Sequence, residues 1–116
     1  MIEMYPSSTR ELAKLRRGLA TDQQSAFDAF SKAVFADGAL PAKIKQIIAV
    51  AVAHVTQCPY CIKGHTGAAL REGATAQELM EAVWVATEMR AGAAYAHSTL
   101  MLAKLGEEDA SSSAGG

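Results

Sequence analysis

Two cysteines and a histidine carry the chemistry in this sequence: Cys58-Pro59-Tyr60-Cys61, with His65 four residues further on. The chain has no other cysteines. A Cys-X-X-Cys pair in a reducing compartment points to redox chemistry, catalysis or metal binding more than to a structural staple. Pro59 suits the first position of a helix, which puts Cys58 at or beside its N-cap. A sulfur there faces unpaired backbone N–H groups and the positive end of the helix dipole. Both favour thiolate over thiol, and such settings lower a cysteine pKa from about 8.5 to roughly 3.5–7.5. Cys61 follows one turn later, within reach of a small-ring disulfide. One thiolate would attack an oxidant or a disulfide, and the other would resolve the product. At 100° per residue, His65 falls on the same helix face, about one turn beyond Cys61, and can accept or return a proton. Tyr60 reads as a residue that shapes the helix start.

Zinc is the competing reading, with His54 as the fourth nominal ligand. The second half of a structural zinc site is usually another close pair, and this chain has none. Metal binding is therefore not the expected reading, and the redox group would be the disulfide itself.

The elements that must position this site read as helices. Ser7-Ser8-Thr9 supply an N-cap for a short amphipathic helix that starts at Arg10, and Thr21-Asp22 cap a second helix carrying Phe27, Phe30, Val34 and Phe35. Asp37-Gly38 end that helix, and Pro41 opens a third. Ile44, Ile47, Ile48, Ala51, Val52 and Val55 recur at the spacing of a buried face, and Ala49, Val50 and Ala53 make the opposite side apolar too, so this helix is expected to be enclosed on most sides. The fourth helix runs from Cys58 to about Glu72 and stops at Gly73. Thr75 and Glu78 form a capping box that opens a long helix over 76 to about 104, bent or broken near Gly92. Ala91-Gly92-Ala93-Ala94 allow close helix packing. No strand pattern stands out, so the expected fold is all-α: a small bundle of about five to six helices. Residues 1–20 read as an N-terminal extension with a short helix, 21–105 as the helical redox domain, and 106–116 as a disordered tail.

The bulk numbers exclude several function classes. At 116 residues with a formal charge of −1, the chain lacks the basic surface that nucleic acids or anionic membranes select. No apolar run reaches the roughly 18 residues of a membrane helix. Residues 1–10 contain Glu3, Pro6 and Arg10 rather than an apolar signal core, so a cytoplasmic location is expected.

Residues 45–66, Lys45-Gln46-Ile47-Ile48 through Cys58-Pro59-Tyr60-Cys61 to His65-Thr66, resemble the core of the carboxymuconolactone decarboxylase family. They are most similar to its alkylhydroperoxidase D branch, and the resemblance extends over about residues 25–104. It implies an all-helical subunit that assembles into homotrimers or homohexamers. It also implies a dithiol of peroxiredoxin-type activity that reduces hydroperoxides or partner disulfides without haem, flavin or metal, re-reduced by a protein partner. In that branch the second cysteine, here Cys61, attacks peroxide and the first, here Cys58, resolves it. The helix-start argument favours Cys58 as the more acidic thiol, so the nucleophile stays open at this stage. The branch carries a proton-relay glutamate twelve residues before its first cysteine, where this chain has Gln46. An amide cannot take up a proton at physiological pH, although it can orient a neighbour. Glu88, among Trp84, Val85, Ala86 and Met89, is the expected substitute if it is buried, with Glu81 behind it; His54 and His97 are weaker candidates. Trp84 and Tyr95 read as core or interface residues.

Two other functions fit the sequence. One is a non-catalytic redox sensor or assembly module, in which the disulfide alters packing. The other is the decarboxylase that names the wider family, whose lactone-acting members use no Cys-X-X-Cys pair.

Overall fold

Five helices follow one another in a computed structural model that describes residues 4–115: α1 (Arg10–Leu19), α2 (Thr21–Phe35), α3 (Ala42–Thr56), α4 (Pro59–Arg71) and α5 (Ala76–Gly115). Among the described residues there are no strands. Met1–Glu3 of the expected extension and Gly116 of the expected tail lie outside them.

Caps set most boundaries. The Thr9 hydroxyl accepts the Leu12 N–H at 3.2 Å and starts α1. The expected cap of α2 moves by one residue: Ala20 is the N-cap, and the Thr21 hydroxyl instead donates back to the Arg17 carbonyl at 2.9 Å. Asp37 reaches forward to accept the Ala42 N–H at 2.7 Å, supplying a cap to α3 that Pro41 cannot. At the head of α5 the capping box forms in both directions, with Glu78 accepting from the Thr75 N–H at 2.8 Å and Thr75 from the Glu78 N–H at 3.1 Å. The bond from the Thr75 backbone, and then the one from Lys43 3.2 Å away, hold the Glu78 carboxyl below its usual range. Gly73, at φ +93°, makes the turn between α4 and α5 in a region other residues rarely enter.

The core sits where α3, α4 and the first half of α5 meet. Val50, Ala69, Ala74 and Leu79 form its buried cluster, with Ile47 and Val83 packed against it. This corrects the expected register of α3. The buried side carries Val50 and Ala53, whereas Ile44, Ile48, Val52 and Val55 stay exposed. The reason is that α4 and α5 both pack on one side of α3, so its opposite apolar stripe stays largely open, with only the end of α2 (Val34 and Phe35) beside it.

Two further expectations change in α5. It runs through Gly92 without a break, and it continues to Gly115 in place of a disordered tail. Lys104 supports the added turns by pairing with Glu107 at 3.7 Å and Glu108 at 3.0 Å, one helical turn on. The helix has 40 residues, about 60 Å at 1.5 Å per residue. The radius of gyration is accordingly 21.4 Å, against about 13 Å for a compact domain of this length. Among the described residues no helix is long and apolar enough to cross a membrane.

Candidate functional site

The turn between α3 and α4 places the cysteines. Gln57 adopts a left-handed conformation (φ 57°) at the C-cap of α3, and the N–H groups of Gln57 and Cys58 both donate to the Ala53 carbonyl. The chain reverses there, Pro59 occupies the first turn of α4, and Cys58 becomes its N-cap. Its Sγ accepts the Cys61 N–H at 3.2 Å, so the sulfur sits at the positive end of the helix as the spacing predicts. Cys58 and Cys61 are joined as a disulfide with Cα atoms 5.2 Å apart, and both are half-buried.

Tyr60 does more than shape the helix start. Its hydroxyl donates to the Pro6 carbonyl at 2.7 Å, and its ring meets Tyr5 edge-on at 5.9 Å, which ties the segment before α1 to the head of α4.

His65 lies on α4 one turn past Cys61, and two other helices fix its ring. Its Nδ1 is 2.7 Å from the Gln46 amide oxygen on α3, and Phe35 at the end of α2 stacks on the ring at a centroid distance of 5.1 Å. The amide oxygen only accepts, so Nδ1–H is the donor in this pairing, and Nε2 is left free of Gln46. The residue at the expected relay position is therefore in contact with His65, and its amide orients the ring.

Cys61 and His65 open onto a cavity of about 400 Å³ whose wall is otherwise apolar, formed by Val34, Phe35, Ile48, Ala49 and Val52, with Lys45 and Thr56 also on its border. Cys58 is not part of that wall. The sequence reading missed Phe35, Lys45 and this wall. A signal was present: Lys45, Ile48, Ala49, Val52 and Thr56 recur along one stripe of α3.

The other candidates are not brought to the site. Glu88 is exposed, contrary to the buried position expected for a substitute relay, and so is Glu81. Helix geometry gives the reason: α5 packs through Leu79 and Ala86, and at 100° per residue Glu88 and Glu81 point to roughly the opposite side. Arg90, two residues on from Glu88, donates to the Val55 carbonyl at 2.7 Å and fastens α5 to the end of α3. The His54 Nδ1 lies 2.7 Å from the Val50 carbonyl of its own helix, and His97 is exposed. Among the described residues no three His, Cys, Asp or Glu side chains cluster to hold a metal.

An all-helical chain with a Cys-X-X-Cys at a helix start and a histidine one turn on is the class of protein this geometry defines. The sequence profile of the carboxymuconolactone decarboxylase family matches residues 21–104, and the chain belongs to that family. It is 64% identical over 94 residues to a Paracoccus denitrificans protein named "uncharacterized protein 4 in cox locus", covering 81% of this chain and 83% of that one. A family protein of Legionella pneumophila in its apo form is 37% identical, with a TM-score of 0.63 over 68% of this chain and 70% of that one. A protein from Methanobacterium thermoautotrophicum is 32% identical, with a TM-score of 0.69 over 72% and 94% of the two chains.

Proposed function

We propose that this protein is a thiol-dependent oxidoreductase that reduces hydroperoxides, or partner disulfides, by cycling Cys58 and Cys61 between dithiol and disulfide. The observation that carries the reading is the placement of Cys61 and His65 together on the wall of an apolar cavity, with Cys58 bonded behind them. That placement also favours Cys61 over Cys58 as the thiol that meets a small substrate.

In the cycle the Cys61 thiolate attacks the terminal oxygen of a hydroperoxide and the O–O bond breaks. The departing alkoxide takes a proton and leaves as an alcohol, while Cys61 becomes a sulfenic acid. Cys58 then attacks the Cys61 sulfur, hydroxide leaves with a proton as water, and the disulfide forms. Two thiols and one hydroperoxide become one disulfide, one alcohol and one water. Both electrons come from the dithiol, so haem, flavin and metal have no part in this cycle, and a protein dithiol returns the disulfide to its starting state. His65 is the group that moves the protons: Gln46 holds Nδ1–H, and Nε2 serves as base toward the thiol and then, protonated, as acid toward the leaving oxygen. A cycling dithiol suits the reducing conditions of the cytoplasm.

Assembly into a homotrimer or homohexamer is part of the proposal. Phe27, Phe30, Trp84, Val85, Met89 and Tyr95 are all exposed, with Tyr95 at 83%, an amount of open apolar surface that marks an interface. The same surface supports a second reading, a redox-sensitive assembly module, because Phe35 links α2 directly to His65.

Mass-resolved thiol trapping of the reduced protein, before and after one equivalent of cumene hydroperoxide, tests the redox reading. Rapid loss of both thiols with a Cys58–Cys61 disulfide is expected, and survival of both removes peroxide reduction. Repeated turnover with a regenerating dithiol separates an enzyme from a sensor that is oxidised once.

A further inference from the structure

Among the described residues Lys45 is the one charged side chain bordering the cavity that holds Cys61, apart from the titratable His65. Its Nζ donates to the Ala36 carbonyl at 2.6 Å, which places the ammonium at the end of α2 beside the cavity. That bond uses one of three donors. Among the described residues no carboxylate stands within ion-pair distance of it, although Arg17, Lys43 and Lys104 all have acidic partners. Lys45 is also only half-exposed. A cation with free donors, next to an apolar wall and without a counter-ion, is complementary to a ligand with a greasy body and one anionic end.

The spacing along α3 sets the arrangement. Lys45 precedes Ala49 by four residues and Val52 by seven, about 6 and 10 Å along the helix axis. The apolar part of the wall therefore extends from the ammonium along Ile48, Ala49 and Val52, with Cys61 and His65 contributed from α4 alongside. A cavity of about 400 Å³ lies within the range of small-ligand sites, roughly 300–1,000 Å³.

We infer that the cavity takes a small aliphatic carboxylic acid, with Lys45 holding the carboxylate and Ile48, Ala49 and Val52 the chain. The inference rests on the proposed function for its chemistry: the substrate class becomes organic hydroperoxides that carry a carboxylate. The hydroperoxide is reduced to the hydroxy acid and water as the dithiol is oxidised, and the carboxylate takes no part in the electron count. Lys45 is then the residue that selects among hydroperoxides, and it does so by binding.

Binding to the disulfide form isolates this inference from turnover. Octanoate and octanol, which have the same chain and differ in charge, serve as probes in calorimetric or NMR titrations of the full chain. Octanoate should bind about tenfold more tightly than octanol. The preference should fall to near unity in Lys45→Gln and persist in Lys45→Arg, which keeps the charge. Equal binding of the two probes by the unaltered protein, a preference that survives in Lys45→Gln, or no binding of octanoate would each overturn the assignment. Should Lys45→Gln fail to fold, methyl shifts in the unaltered protein decide: octanoate must perturb Ile48 and Val52, and perturbation confined to other sites rejects the cavity. A protein that binds octanoate through Lys45 yet keeps both thiols in the trapping experiment refutes the redox reading alone. Thiol oxidation without charge-selective binding refutes the Lys45 assignment alone.

Discussion

The two ends of α2 belong to different parts of the molecule. From Val50 to Ala86 the chain supplies every buried apolar residue of the described core, and α3, α4 and the head of α5 close around them. α1 and α2 bury no residue at all, and an exposed ion pair, Arg17 with Asp28, joins them. Only the last turn of α2 reaches the site, where Phe35 stacks on His65. The difference teaches that the cysteine pair rests on the core formed by α3, α4 and the head of α5, whereas the α1–α2 hairpin and the far half of α5 present exposed apolar side chains.

The largest expected effect breaks the core side of this comparison. Val50 is 2% exposed, and Val50→Asp puts an uncompensated charge among Ala69, Ala74 and Leu79. It should cost several kcal/mol and abolish cooperative folding in urea. On the other side, Phe27→Ser combined with Phe30→Ser should leave the helical circular dichroism and the Cys58–Cys61 disulfide intact while reducing the mass seen by sedimentation. An unchanged mass would show that α2 is not the covered surface.

Gln46→Ala sharpens the account of the site. Loss of the bond to His65 should slow thiol oxidation about tenfold, the equivalent of one hydrogen bond of about 1.4 kcal/mol, with folding preserved. Gln46→Glu places a carboxylate beside the imidazole, favours its protonated form and should move the pH profile of oxidation upward. A profile that does not move would mean that His65 is not the proton carrier.

The smallest effect is acid loosening of the hairpin. The hydrogen bond from Arg17, followed by that from Gln24, holds the Asp28 carboxyl below its usual range. A carboxyl depressed in the folded state contributes stability above its unfolded pKa and loses it as the pH falls through the folded value. Amide exchange in α1 and α2 should therefore accelerate below about pH 4, and Asp28→Asn should remove that acid dependence from the hairpin without touching α4.

The placement of the cysteine pair was legible because its logic is local. Pro59 and the two cysteines within four residues define an N-cap sulfur and its neighbour whatever packs around them, and Thr75 with Glu78 define the next helix start in the same way. The continuation of α5 past residue 106 was obscured by a Ser/Gly-rich end, although Lys104 with Glu107 and Glu108 is a local helix signal. The faces of α3 were not legible. With Ile44, Ile48, Val52 and Val55 on one side and Val50 and Ala53 on the other, the apolar pattern wraps the helix and cannot say which side α4 and α5 cover. Glu88 failed for the same reason, since an apolar neighbourhood in sequence is not burial until a helix face has been assigned.

What the sequence determined by itself was therefore chemistry and helix ends: a dithiol at a helix start, a histidine one turn on, and an amide twelve residues upstream. These follow from 100° per residue and from which backbone groups a helix leaves unpaired. Tertiary structure alone decided that Gln46 and Phe35 meet at His65, that Cys61 and not Cys58 faces a cavity, and that Lys45 stands at its border. Those contacts join side chains from three helices, and their distances depend on how the helices cross.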